Sequence, residues 1–84
     1  MKMYRVHDSM RDKLENIREA LQTHLDLHEE FDTMPYDEAC KLYRTLDQVE
    51  NTCALASQKE VDGRTIKHLS EVIRKYDYLL AVPA

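Results

Sequence analysis

A single glycine, two prolines and no tryptophan are spread over these 84 residues. Sheet-rich folds need glycine and proline at their many turns, so this scarcity argues against them and for long helices with short connections. One glycine also cannot build a glycine-rich phosphate loop. Cysteine is sparse too. Cys40 and Cys53 fall on what reads as one helix, about 20 Å apart at ~1.5 Å per residue, too far for an intrahelical disulfide. Free thiols fit a reducing compartment, and the expected location is the cytoplasm. No apolar run approaches the ~20 residues that span a bilayer. Met1–Arg5 is followed by polar residues rather than an apolar block, so neither a signal peptide nor membrane insertion is expected. No dense stripe of lysine and arginine exists to meet phosphates, which disfavours direct nucleic-acid binding.

The composition is 43% hydrophobic and 33% charged, globular values for one domain with one modest core. The charge is unevenly placed. Residues 1–25 carry five basic and four acidic side chains, residues 26–50 two basic and eight acidic, and residues 51–84 five basic and four acidic. The net −4 therefore originates in the middle third. Between Asp26 and Glu38 stand six carboxylates and no lysine or arginine.

Periodicity predicts three helices, at about 7–30, 35–59 and 65–82. In the first, Met10, Leu14, Ile17, Leu21, His24 and His28 recur at steps of four and three, with Ala20 and Leu25 beside them and Asp8 or Ser9 as candidate cap. Pro35 suits the first position of a second helix capped by Thr33 or Met34. Its seam reads Ala39, Leu42, Leu46, Val49, Cys53 and Ala56. Gly63 reads as a stop and turn, Asp62 or Thr65 as the next cap, and Ile66, Leu69, Ile73, Tyr76 and Leu80 as the third stripe, ended by Pro83. The expected fold is an all-α, small antiparallel three-helix bundle. The alternative is a helical hairpin that dimerises into a four-helix bundle, with the third helix packed across it. Small and polar seam residues leave room for such a partner.

The acidic bend between the first two helices is the best functional clue. Asp37 and Glu38 suit the positive end of the second helix, but Glu29 and Glu30 sit at the negative end of the first, where acids are mildly unfavourable. The bend also displays Phe31, Met34 and Tyr36 on a connection too short to bury all three. Acids interleaved with apolar anchors suit docking onto a protein with a basic, partly apolar surface. The expected partner-binding residues are Glu29, Glu30, Phe31, Asp32, Met34, Tyr36, Asp37 and Glu38. A competing possibility is a metal- or small-ligand-binding bundle. His24 and His28 are one turn apart, and a hairpin closing near Asp32–Thr33 brings Cys40 opposite His24 and Asp37 opposite His28. An i, i+4 histidine pair is a weak signal, and no metal or cofactor is assigned. Calcium is disfavoured because the EF-hand's alternating ligands and central glycine are missing.

The segment Met10-Arg11-Asp12-Lys13-Leu14-Glu15-Asn16-Ile17 resembles the opening helix of small helical chorismate mutases, which are similar in length and helix number. That resemblance implies arginines and lysines directed into a shared core around a dianionic ligand. Beyond Arg18 the first helix carries histidines and acids instead, so the chain departs from the pattern where the chemistry would lie. No catalytic residue is assigned. The sequence reads as a non-enzymatic protein-interaction module, an inhibitor, adaptor or regulator, with a homodimer as a candidate assembly.

Overall fold

The computed structural model describes residues 2–80, apart from the side chains of Glu30 and Phe31. The chain is mostly helical. In order it forms β1 (Met3–Arg5), α1 (Asp8–Phe31), α2 (Tyr36–Ala56), β2 (Glu60–Asp62) and α3 (Gly63–Tyr76), followed by a 3₁₀ turn over Asp77–Leu80. The expected run of the third helix to residue 82 and its stop at Pro83 lie outside the described residues.

In α1 the buried positions are Leu14, Ile17, Leu21 and Leu25, and His24, expected in the seam, is exposed. The cause is the helical period. At 3.6 residues per turn a stripe of alternating threes and fours drifts round the helix, and by the fourth turn Leu25 has taken the inward position. In α2 the buried side chains are Leu46, Val49, Thr52 and Ala56, and Cys53 is half-buried. The Thr52 hydroxyl is accommodated inside by donating to the Gln48 carbonyl at 2.8 Å. Burial and the nearby Glu15 push the Cys53 thiol up from its ordinary value. Both cysteines are free thiols. α3 buries Leu69, Val72 and Tyr76, and Ile66, Ile73, Leu79 and Leu80 pack partly against the same core.

The two strands were not legible in the periodicity. β1 and β2 pair antiparallel, with Met3 opposite Asp62, Tyr4 opposite Val61 and Arg5 opposite Glu60. Val6 N–H donates to the Lys59 carbonyl at 3.1 Å and extends the ladder. This pairing takes residues 57–59 out of the second helix, which stops at Ala56. It also corrects the reading of Gly63, which opens α3 instead of making a turn. A Cβ there would come within 3.3 Å of the Tyr4 ring, so the glycine permits close approach of β1. Asp62 caps α3 by accepting from Thr65 N–H at 2.8 Å. The Thr65 hydroxyl and this N–H together hold its carboxyl below the usual range. The cap of α1 is His7, with no side-chain bond; Asp8 pairs instead with Arg11 at 2.9 Å.

Arg11 ties the open end together. Its Nε donates to the Ala56 carbonyl at 2.7 Å and its Nη2 to the Gln58 carbonyl at 2.9 Å. The last turn of α2 has no basic residue of its own, so an arginine from α1 supplies the cation that a helix C-terminus favours. This guanidinium is thereby committed to backbone carbonyls.

Arg11 near the start of α1 meets Ala56 at the end of α2, and Glu29 near the end of α1 meets Tyr43. The two helices therefore fold back along each other as a hairpin. α3 sits toward the hairpin's open end. Its Ser70, Ile73 and Arg74 share a shallow depression with Ser9, Met10 and Lys13, and the Tyr76 hydroxyl reaches Gln48. The other end receives no such cover: among the described side chains from Asp26 to Thr45, none is fully buried. The molecule measures 48 × 27 × 17 Å with a radius of gyration of 14.3 Å, against about 12 Å for a compact chain of this length. A two-helix arm thus projects from a braced core.

Replacing Arg11 with alanine leaves the terminal carbonyls of α2 without their charged donor. The expected loss is about 1–3 kcal/mol of unfolding free energy. Arg11→Lys, lacking the fork that spans both carbonyls, recovers less than half. Urea denaturation of the three proteins checks this; an alanine variant as stable as the parent contradicts it.

Candidate functional site: the acidic elbow

α1 ends because Asp32 adopts the left-handed conformation, φ 48° and ψ 45°, with its N–H bonded to the His28 carbonyl. Aspartate tolerates this region better than most residues, so one of the six acids has a structural task. Thr33 N–H also donates to the His28 carbonyl, and the Thr33 hydroxyl contacts His28 Nδ1. Pro35 is itself the cap position of α2, in extended conformation (φ −58°, ψ 147°), rather than the first helical residue behind a Thr33 or Met34 cap. Asp37 and Glu38 occupy the first turn of α2 as expected, facing the positive helix end. Asp26 accepts from the Gln22 amide at 2.9 Å. Local structure therefore gives Asp26, Asp32, Asp37 and Glu38 each a place in α1, the turn or the start of α2.

Between the end of α1 and the start of α2 lies an open cavity of about 500 Å³. Glu29, Asp32, Met34 and Tyr36 line it, four of the eight residues expected to bind a partner. Asp37 and Glu38 are exposed on α2 and do not line it. The side chains of Glu30 and Phe31 lie outside the described set. His28 and Cys40 also face the cavity, joined by Leu25, Ala39 and Tyr43, three residues that the sequence reading did not assign to the elbow. The turn spans 32–35 rather than closing at Asp32–Thr33. That shifts the register, so Cys40 shares the cavity with His28 and not with His24. His24 instead packs its ring edge-on against His28, centroids 4.4 Å apart. Among the described residues no group of three or more histidines, cysteines, aspartates or glutamates is placed to hold a metal ion.

Two tyrosines dominate the wall contributed by α2. Tyr36 is 82% exposed and Tyr43 48%; seven residues apart, they share one helix face. The Tyr43 hydroxyl donates to Glu29 across the hairpin at 3.4 Å, and the Glu29 charge raises the phenol above its ordinary value. The Tyr36 phenol is likewise raised, by the neighbouring Cys40 thiol. Leu27, 51% exposed, adds apolar surface on α1.

Comparison with known proteins gives no match to a protein family, to a curated protein or to a solved structure. Among the described residues no helix is long and apolar enough to cross a membrane.

The raised Tyr43 phenol has a readable consequence. A group whose pKa is higher in the folded state gives stability that is complete below its unfolded pKa and is lost as pH rises through the folded one. The Tyr43–Glu29 contact should therefore weaken on the alkaline side. Glu29→Gln should bring the Tyr43 titration, followed by ring-carbon NMR, back toward the ordinary phenol range. An unmoved titration contradicts the contact.

Proposed function

We propose that this protein is a non-enzymatic interaction module, an adaptor, inhibitor or regulator of another macromolecule, that docks through its acidic elbow onto a basic, partly apolar protein surface. The observation carrying this reading is the exposure of Tyr36, Leu27 and Tyr43 on a two-helix arm that bears six acids and no cation between Asp26 and Glu38. Apolar anchors on such an arm are covered only when something binds, and the surrounding carboxylates select a basic partner and accelerate encounter. Glu29 and Glu30 fit this role best, since both lie at the negative end of α1, where acids are mildly unfavourable. In this reading α1, α2 and α3 form a small antiparallel bundle in which α3 and the β1–β2 ribbon brace the open end. The hairpin arm remains free to dock. Dimerisation of two hairpins side by side in parallel is less favoured, because each copy would bring the same acidic arm to the seam.

Glu29→Lys with Glu30→Lys tests the reading while sparing Asp32, which holds the turn. The pair should leave helicity by circular dichroism intact and weaken partner binding by about tenfold or more, mainly through slower association. Complexes formed by the tagged parent and variant in its own host, compared by native mass spectrometry across a salt series, supply the measurement. Unchanged binding, or binding insensitive to salt, sinks the elbow as the docking surface.

A further inference from the structure

We propose that the elbow cavity is a receptor for an arginine side chain of the partner, an inference that rests on the docking reading above and gives it a chemical address. The cavity has an apolar floor, with Leu25 only 2% exposed and Ala39 and Cys40 half-buried. Tyr36 and Tyr43 stand on the α2 wall, and Glu29 on the α1 wall with its carboxylate steered by the Tyr43 hydroxyl. Each feature fits one part of an arginine. The aliphatic stem covers the floor, the planar guanidinium lies on a phenol face, and its forked N–H groups meet a carboxylate.

Charge selects this occupant over the others. The cavity is lined by two acids and no lysine or arginine; the nearest cations in sequence on α2, Lys41 and Arg44, are exposed and do not line it. A cation must therefore come from outside. A second copy seated arm to arm would set acids against acids, since residues 26–50 carry eight acidic and two basic side chains. A purely apolar side chain would leave Glu29 desolvated without a counter-charge. A lysine would satisfy the charge but lacks the flat, weakly hydrated head that stacks on tyrosine.

The test uses the full chain, ¹⁵N-labelled, titrated at constant ionic strength with N-acetyl-arginine methylamide and with N-acetyl-citrulline methylamide, its uncharged near-isostere. The arginine probe should give saturable amide shifts concentrated in residues 25–43, with millimolar affinity, and the citrulline probe should bind about fivefold more weakly or worse. Tyr36→Ala with Tyr43→Ala should abolish saturation while the amide spectrum stays dispersed. Tyr43→Phe, which keeps the ring, should retain most of the binding. Equal binding of citrulline, shifts scattered over acids elsewhere such as Asp12 and Glu60, or no saturable shift each overturn the proposal. So does a doubling of mass with concentration that buries the same residues. If the probe fails while the Glu29/Glu30 reversal still disrupts the host complex, the arginine receptor falls and the docking arm stands. If both fail, the docking arm falls as well.

Discussion

The seam between α1 and α2 stops being sealed before the helices run out of residues. From Leu14 to Leu25 on one helix and from Leu46 to Ala56 on the other, inward positions are filled and sealed. Beyond Leu25 and before Leu46 the facing positions hold His28, Met34, Ala39, Cys40 and Leu42, and all are only half-buried. Fully burying one leucine contributes about 1.5–3 kcal/mol, so the core end stands on several such contributions and the elbow on fractions of them. The docking reading proposed above rests on that imbalance. Among the described side chains none seals the hairpin's tip, which presents a cavity and exposed rings beside carboxylates.

The opposite end shows what a sealed terminus looks like. There Arg11 meets the carbonyls of Ala56 and Gln58, the β1–β2 pair ties the segment before α1 to the one after α2, and α3 closes one side with Leu69, Val72 and Tyr76. Short strands and a single guanidinium achieve this because they satisfy backbone groups that a helix end otherwise leaves open. Bracing one end also presents the other as a defined arm, which would lower the ordering cost of the docking proposed above.

The helices were legible because their apolar spacing is strong, and their burial followed it to within a turn. The places where the reading slipped share a physical cause. His24 was taken for a seam residue because a repeat of threes and fours was extended past the point where a 3.6-residue helix keeps step with it. The strands escaped because three residues carry too little alternation, and Gly63 was read as a turn because its real task, making room for Tyr4, depends on a contact 59 residues away in sequence. At the elbow, Glu29, Asp32, Met34 and Tyr36 were legible from composition alone. Leu25, Ala39 and Tyr43 were not, because their membership depends on the hairpin register, which a turn one residue later than expected changes. The role of Asp32 in the turn needed its backbone angles to be seen.

Amide hydrogen exchange on the isolated protein tests the central claim most directly, because it reports opening of each part of the hairpin separately. With intrinsic rates corrected for, helical amides in 26–31 and 36–45 should exchange at least about tenfold faster than those in 14–25 and 46–56, reflecting an arm that opens without unfolding the core. Equal protection along both helices would show that the elbow is stabilised as fully as the core, and would contradict the account of it as a surface completed by a partner.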